Sequence, residues 1–336
     1  MRRNSFHLFL SVVALGLFGG LLIVAQQQLN AYILRILNLC AIYTILGVSM
    51  NLINGFSGQF SLGHAGFMAV GAYTTAILTL SPELKTMNYF IKPITPLLAQ
   101  IQLPFLLALL CAGLMAALFA VLIGAPALRL KGDYLAVATL GFSEIIRVVF
   151  TNTVAITNGA LGLKNIPEYT NLYWTWGWAV FTIFFIKRLA DSSYGRAMQG
   201  IRENEIAAEA MGVNLFATKI LAFLVGAFFA GVGGGLLGNL ITTIDPKTFL
   251  PTLTYQILMI IVVGGLGSLS GTVVAACTFA ILMEYLRVLD NILPGLRMVF
   301  FSLLLLLVII FARQGLMGGR EFTWRWIFRK NYKDLR

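Results

Sequence analysis

Long apolar runs, separated by short polar connections, follow one another along almost the whole chain. A membrane-spanning helix needs about 20 mostly apolar residues, because each residue advances a helix by only about 1.5 Å. The pattern predicts about ten such spans, near residues 6–25, 32–52, 60–80, 103–124, 134–154, 172–186, 220–240, 253–266, 271–289 and 297–312. About eight spans, with one or two segments that re-enter the membrane, is the alternative.

The composition and charge of the chain favour a membrane protein over a soluble one. Apolar residues make up 59% of the 336 residues and charged residues 11%, whereas soluble domains average about 45–50% and about 25%. A net charge of +11 would suggest a nucleic acid partner in a soluble domain, but here the basic residues gather where apolar runs end. Lys and Arg are enriched on the cytoplasmic side of membrane proteins. The pattern therefore predicts an all-α, multi-pass protein of the plasma membrane, with both termini in the cytoplasm and no nucleic acid partner.

Few side chains suited to catalysis or metal binding occur in the chain. It has two His and three Cys, and Cys40, Cys111 and Cys277 all lie in apolar runs without a C-x-x-C pair. The sequence therefore predicts no metal centre, no cofactor and no enzyme activity. It also lacks the phosphate-binding pattern G-x-x-x-x-G-K-[ST]. If ATP drives transport, a separate subunit must hydrolyse the nucleotide.

Glycines and small polar residues interrupt the apolar pattern at residues 55–67, GFSGQFSLGHAGF. Non-helical backbone inside a membrane is tolerated where protein or water satisfies its polar groups. The free amide groups of a broken helix attract carboxylates, and half-helices form substrate sites in transporters. We therefore predict that this segment lines a translocation path; a loop at the membrane surface is the alternative. The candidate path residues are Ser57, Gly58, Gln59, Ser61, Gly63 and His64.

Two carboxylates within the predicted spans each have an arginine three residues further along. Glu144 and Arg147 form one pair, and Glu284 and Arg287 form the other. Residues at this spacing share a helix face and can neutralise each other. An ionisable residue in a membrane helix is a candidate for function, whereas pairing within one helix favours a structural role in the bundle.

The longest polar stretch joins the sixth and seventh predicted spans and includes residues 191–219. Asp191 and Ser192 favour the start of a helix, and the spacing of apolar residues predicts one amphipathic helix over Gly195–Met211, ended by Gly212 in the left-handed conformation. We expect a compact knob that inserts into a groove of a partner, and a separate ATPase is the partner we favour. The polar face carries Arg202, Glu203, Glu205 and Glu209.

Five segments, spread in order along the chain, resemble the LivM-type permease subunits of bacterial branched-chain amino-acid ABC importers. They are SMNLINGFSGQFSLGHAGFMAVGAYT (49–74), KGDYLAVATLGFSEIIRVV (131–149), TNGALGLKNIP (157–167), RAMQGIRENEIAAEAMGVN (196–214) and IVVGGLGSLSG (261–271). Together with the spans, the resemblance implies an ABC-importer permease bundle at 1–312, with cytoplasmic coupling helices within 191–219. A short basic cytoplasmic tail follows at 313–336.

The resemblance also implies cargo and partners. Leucine, isoleucine and valine would be the substrates, and the partners would be a LivH-type sister permease, two ATP-binding subunits and an extracellular or periplasmic substrate-binding protein. Related permeases carry urea, amides or other small polar solutes, so the cargo stays open. A stand-alone secondary transporter is a further alternative.

The coupling loop that ABC permeases share maps onto the predicted knob. Ala208 and Gly212 match the family pattern, and both join the candidate coupling residues. Ile206 stands where the family has a glutamate. We therefore expect Glu205 or Glu209 to take the place of that glutamate at the ATPase.

Overall fold

The computed structural model describes residues 16–90, 92–130, 132–287, 295–311, 315–317 and 321. The start of the first predicted span and most of the predicted tail lie outside these residues. The described residues are helices and the connections between them, and one isolated pairing of extended backbone joins Leu163 to Ile244. The predicted all-α fold class is confirmed.

The helices follow one another in the order of the predicted spans, with short helices between them. They are residues 16–28 (α1), Ala31–Asn51 (α2), His64–Thr79 (α3), Pro82–Asn88 (α4), Pro96–Ala99 (α5), Phe105–Ala127 (α6), Asp133–Asn152 (α7), Val154–Thr157 (α8), Leu172–Ala190 (α9), Ser193–Glu203 (α10), Glu205–Ala210 (α11), Leu215–Ile241 (α12), Pro251–Gly264 (α13), Leu269–Tyr285 (α14) and Leu296–Phe311 (α15). A helix coincides with each predicted span. In the described part, four segments are long and apolar enough to cross a membrane alone: Ala31–Phe56, Phe105–Ala127, Tyr134–Asn152 and Leu215–Ile241.

The second and third predicted spans are separated by a break in the helix. A π-helical turn, Leu52–Phe56, extends α2, and α3 begins only at His64. Residues 57–63 between them are not helical. The third span therefore starts later than the predicted position 60, because glycines and small polar residues do not continue the helix.

The glycine-rich helix α12 lies at the centre of the bundle, packed against α2, α3 and α6. A Cβ on Gly234 would overlap the backbone of Met68 in α3, and one on Gly231 would lie 2.5 Å from the Ala116 Cβ of α6. Small residues let helix backbones approach this closely. The glycines of α12 are thus explained by tight helix packing.

The two ends of the bundle carry different elements. At the end we call the α10 end, α2 stops, α3 starts, and the turn 265–268 joins α13 to α14. The opposite end carries α4, α5, α8 and the connection 158–171. The helix pair α10–α11 projects from the α10 end and connects α9 to α12.

The predicted single helix over Gly195–Met211 is wrong, because the chain breaks at Asn204. This residue has an extended backbone, with φ −160° and ψ 109°. Its side-chain oxygen accepts a hydrogen bond from the Ala207 N–H at 3.1 Å and so caps α11. Gly212 follows α11 with a φ of +84°, so the predicted helix stop is confirmed.

Candidate functional site

Most of the predicted path residues are buried within the helix bundle. Those that are buried are Ser57, Gln59, Ser61, Gly63 and His64. Gly58 is exposed and has a φ of +68°, which favours glycine. The His64 Nε2 lies 3.0 Å from the Ser49 Oγ of α2. In this conformation the buried residues hold the break in place rather than face an open channel.

Several backbone amides in the break and at the start of α3 are already hydrogen-bonded. The Leu62 N–H donates to the Thr139 Oγ1 of α7 at 2.9 Å, and the Ala65 N–H donates to the Thr254 Oγ1 of α13 at 2.9 Å. A buried amide must find a partner, and here threonine hydroxyls from neighbouring helices supply it. These two amides are therefore not free to attract a carboxylate in this conformation.

The end of α2 is joined to the turn between α13 and α14 by Asn51. The fully buried Asn51 amide donates to the Ser268 carbonyl at 3.0 Å and to the Thr272 Oγ1 at 2.8 Å, and its oxygen accepts from the Gly267 N–H at 2.9 Å. Gly55 lies against this contact, and a Cβ there would lie 2.5 Å from the Gly267 nitrogen. The absence of a side chain at Gly55 is thus what lets the two segments meet.

Arg202 of α10 reaches the same place from outside the bundle. Its Nη1 donates to the Gly55 carbonyl at 2.8 Å and lies 2.8 Å from where a Cβ on Gly267 would be. The last carbonyls of a helix lack partners within it and carry partial negative charge, so a guanidinium is a suitable donor here. A predicted coupling residue therefore contacts the predicted path segment, although the two are 147 positions apart.

A second contact ties α11 to the base of α12. The Glu205 Oε1 lies 2.5 Å from the largely buried Lys219 Nζ, and the Lys219 carbonyl accepts from the Gln59 amide at 3.2 Å. A buried cation without a partner would be costly, so Glu205 holds the helix pair in place. The carboxylates of Glu203 and Glu209 stay exposed, although the Glu203 Oε1 also lies 3.7 Å from the Arg202 Nε.

The outer face of α11 presents apolar side chains to its surroundings. Ile206 is 81% exposed and Met211 is 85% exposed, whereas Ala208 is buried. Two large apolar side chains among charged ones are typical of a contact surface for another protein.

Comparison with known proteins identifies the family of this chain. Residues 32–311 match the family model described as "Branched-chain amino acid transport system / permease component". The chain belongs to this permease family. It is 33% identical to the high-affinity branched-chain amino acid transport system permease protein LivM of Escherichia coli (strain K12) over 316 residues, which cover 84% of this chain and 69% of the relative. No significant match occurs among solved structures.

Two further relatives show how widely the family extends. The probable branched-chain amino acid transport permease protein LivM of Methanocaldococcus jannaschii is 25% identical over 82% of this chain and 90% of its own length. The guanosine ABC transporter permease protein NupQ of Bacillus subtilis (strain 168) is 23% identical over 55% of this chain and 60% of its own length. Permeases similar to this chain therefore include one named for a different cargo.

The two ion pairs of this permease differ in their surroundings. The Arg147 Nη2 lies 2.7 Å from the Glu144 Oε2 within α7, and both side chains are about one third exposed, at 29% and 32%. The Arg287 Nη1 lies 3.2 Å from the Glu284 Oε1 at the end of α14, where Glu284 is buried and Arg287 is exposed. Both carboxylates are therefore neutralised by their own helix.

Several polar residues of this site were not predicted from the sequence. Asn51, Thr139 and Thr254 lie within predicted spans, and their partners are far away along the chain. A single polar residue in a membrane helix gives no periodic signal. For Asn51 the weak signal was its position one helical turn before Gly55, which places it beside the break.

Proposed function

We propose that this chain is a membrane-spanning permease subunit of an ATP-driven ABC importer of branched-chain amino acids. The hydrogen bond from Arg202 to the Gly55 carbonyl is the main structural support. It connects the helix pair α10–α11, which projects from the bundle, to the break between α2 and α3. A movement imposed on α10 therefore acts directly on the segment that separates two membrane helices.

The ATPase is proposed to dock on the outer face of α10–α11. Ile206 and Met211 supply an apolar centre, and Glu203 and Glu209 supply charge around it. Interfaces commonly combine an apolar centre with a polar rim. The chain itself is proposed to hydrolyse no ATP, since it lacks a phosphate-binding loop.

The remaining partners and the orientation complete the proposal. We infer a LivH-type sister permease, two ATP-binding subunits and an extracellular or periplasmic substrate-binding protein. The α10 end, together with both termini, faces the cytoplasm, because basic residues are concentrated in the connections on that side. This orientation presents α10–α11 to the compartment that supplies ATP.

The path is proposed to open where the helix is broken. The break and the start of α3 are joined to α7 and α13 by hydrogen bonds from the Leu62 and Ala65 amides to single threonine hydroxyls. Such bonds contribute only about 0.5–1.5 kcal/mol each, so they exchange partners readily when α10 moves. Ser57, Gln59 and Ser61 then become available to a polar solute.

The proposed cargo is inferred from the names of the relatives and not from a binding pocket. Two LivM relatives are named for branched-chain amino acids, whereas the less similar NupQ is named for guanosine. Branched-chain amino acids are therefore the first choice, and another small polar solute is the alternative. Uptake of leucine, urea and guanosine by the same vesicles would separate these cargoes.

Arg202→Ala tests the proposed coupling. The chain, purified with the subunits that accompany it, is placed in liposomes, and leucine uptake and ATP hydrolysis are both measured. We expect uptake to fall at least about fivefold, while ATP hydrolysis persists. Arg196→Ala is the matched control, because Arg196 lies on the same helix and its side chain donates only to the nearby Asp191 carbonyl.

The same vesicles test the proposed function as a whole. The purified chain alone should neither hydrolyse ATP nor concentrate leucine. Concentrative uptake by the chain alone, driven by a proton gradient, would contradict the proposal. Loss of that uptake on neutralising Glu144 would then identify a secondary transporter.

A further inference from the structure

A short part of the C-terminal segment lies across the turn that joins α13 to α14. The Leu316 N–H donates to the Val263 carbonyl near the end of α13 at 2.8 Å. Gly315 packs so closely that a Cβ there would lie 2.6 Å from the Gly265 nitrogen. The chain therefore touches the end of α13 before it reaches α14.

Glu321 then binds the start of α14. Its Oε1 accepts from the Leu269 N–H at 2.5 Å, and its Oε2 accepts from the Ser270 N–H at 3.2 Å and from the Ser270 hydroxyl at 2.8 Å. The first N–H groups of a helix lack partners within it and carry partial positive charge. A carboxylate that accepts from two such N–H groups and one hydroxyl is a strong, charge-assisted contact.

The turn that Glu321 contacts contains two glycines in backbone conformations that other residues rarely adopt. Gly265 has a φ of +108° and Gly267 a φ of +84°, conformations that glycine adopts at little cost. These two glycines let the backbone of the turn change conformation at little cost. Asn51 restrains the turn from inside the bundle, and Glu321 restrains it from outside.

This turn is also where Arg202 arrives from α10. Its Nη1 lies beside Gly267 as well as on the Gly55 carbonyl. One guanidinium therefore contacts the end of α2 and the α13–α14 turn together. Motion of α10 reaches α13 and α14 as a unit only if that turn is rigid.

We propose that Glu321 is a positioning residue that locks the α13–α14 turn, so that motion of α10 is transmitted to α13 and α14. The inference rests on the proposed function of the chain as an ATP-driven permease. Glu321 contacts neither the solute nor the nucleotide in this scheme. Its role is to keep ATP hydrolysis linked to solute movement.

The first measurement tests the contact itself in the full-length chain. Hydrogen exchange of the Leu269 and Ser270 amides is compared between the wild type and Glu321→Ala. We expect these amides to exchange at least about fivefold faster in the variant, because their acceptor is gone. Unchanged exchange would overturn the proposal.

The second measurement tests the coupling in liposomes that contain the chain with its accompanying subunits. In Glu321→Ala the leucine imported per ATP hydrolysed should fall at least about fivefold, while ATP hydrolysis continues. Glu321→Gln keeps one acceptor oxygen and loses the charge. The leucine that it imports per ATP hydrolysed should therefore lie between the values of the wild type and of Glu321→Ala. Glu168→Ala, an exposed carboxylate at the opposite end, is the control.

The outcomes separate this inference from the proposed function. An unchanged ratio in Glu321→Ala, or an equal fall in uptake and hydrolysis, overturns the role of Glu321 even if exchange rises. Absence of ATP-driven uptake in the wild-type vesicles instead contradicts the proposed function. The hydrogen-exchange measurement does not depend on transport. It therefore reports on the contact between Glu321 and the start of α14 whether or not the vesicles import leucine.

Discussion

The two ends of this permease bury polar side chains in different ways. At the opposite end the buried Lys85 Nζ donates to the Leu98 carbonyl at 2.8 Å and to the Ile101 carbonyl at 2.5 Å. Asn88 exchanges two hydrogen bonds with the backbone of Lys164. These bonds join short helices into a closed cap. At the α10 end, by contrast, side chains from α2 and α10 meet one turn and leave an outer face uncovered.

The comparison shows that similar chemistry serves two purposes. Both ends use a cation to satisfy backbone carbonyls near helix ends. Lys85 is buried, which lowers its pKa from the ordinary value of 10.5, and its contacts stay within the cap. Arg202 is 40% exposed and links the bundle to a projecting helix pair. The first arrangement stabilises the opposite end, and we propose that the second transmits movement from the helix pair to the bundle.

The largest effect is expected from Gly55→Ala at the α10 end. The new Cβ would overlap the Asn51 side chain and lie 2.5 Å from the Gly267 nitrogen, so α2 and the turn would separate. Overpacking and the lost hydrogen bonds together should cost more than about 3 kcal/mol. The yield of folded protein after detergent extraction measures this.

Gly200→Ala is the matched control for that substitution. Gly200 lies in α10 with no atom within 4 Å of an added Cβ. This variant should be neutral, or more stable by up to about 1 kcal/mol, since Ala favours a helix. Equal yields for both variants would show that the close approach at Gly55 is unimportant.

Lys85→Met should give the next largest effect, at the opposite end. The apolar side chain leaves two buried carbonyls without a donor, which should lower the free energy of unfolding by about 2–4 kcal/mol. A lower melting temperature of the purified variant would show this loss of stability. The amount of leucine imported per ATP hydrolysed should not change. Lys92→Met replaces an exposed lysine at the same end and should leave the melting temperature unaltered.

The smallest change in stability is expected from Ile206→Asp on the exposed face of α11. Substitution of so exposed a side chain should alter stability by less than about 0.5 kcal/mol, yet weaken ATPase binding about tenfold or more. The amount of ATPase that co-purifies with the chain measures this. Met87→Asp, at a residue 71% exposed at the opposite end, should retain the ATPase; equal loss from both variants would contradict the proposed docking face.

Much of the fold was predictable because membrane helices are specified by local composition. Each predicted span coincides with a helix, and the glycine and serine cluster at 264–271 separates α13 from α14 as expected. The error over Gly195–Met211 arose because Asn204 suits both a helix and a cap. The hydrogen bond from the Ala207 N–H to its side chain fixes Asn204 as a cap. The spacing of apolar residues does not indicate this bond.

The candidate site was only partly predictable. Arg202 and the segment 55–67 were both identified, but for separate reasons and as separate regions. The sequence offered no indication that they touch. Glu321 was placed in a basic tail, and nothing in its neighbourhood along the chain pointed to the start of α14.

By itself, the sequence determined that this is a multi-pass permease with a helix broken near residue 57 and a long polar segment between two spans. Apolar length and glycine content act locally, so they can be read residue by residue. Only the tertiary structure decided that the polar residues of the break are buried and that Arg202 and Glu321 meet the α13–α14 turn from two sides. Those contacts join residues far apart along the chain, and they depend on how closely the glycines allow the helices to pack.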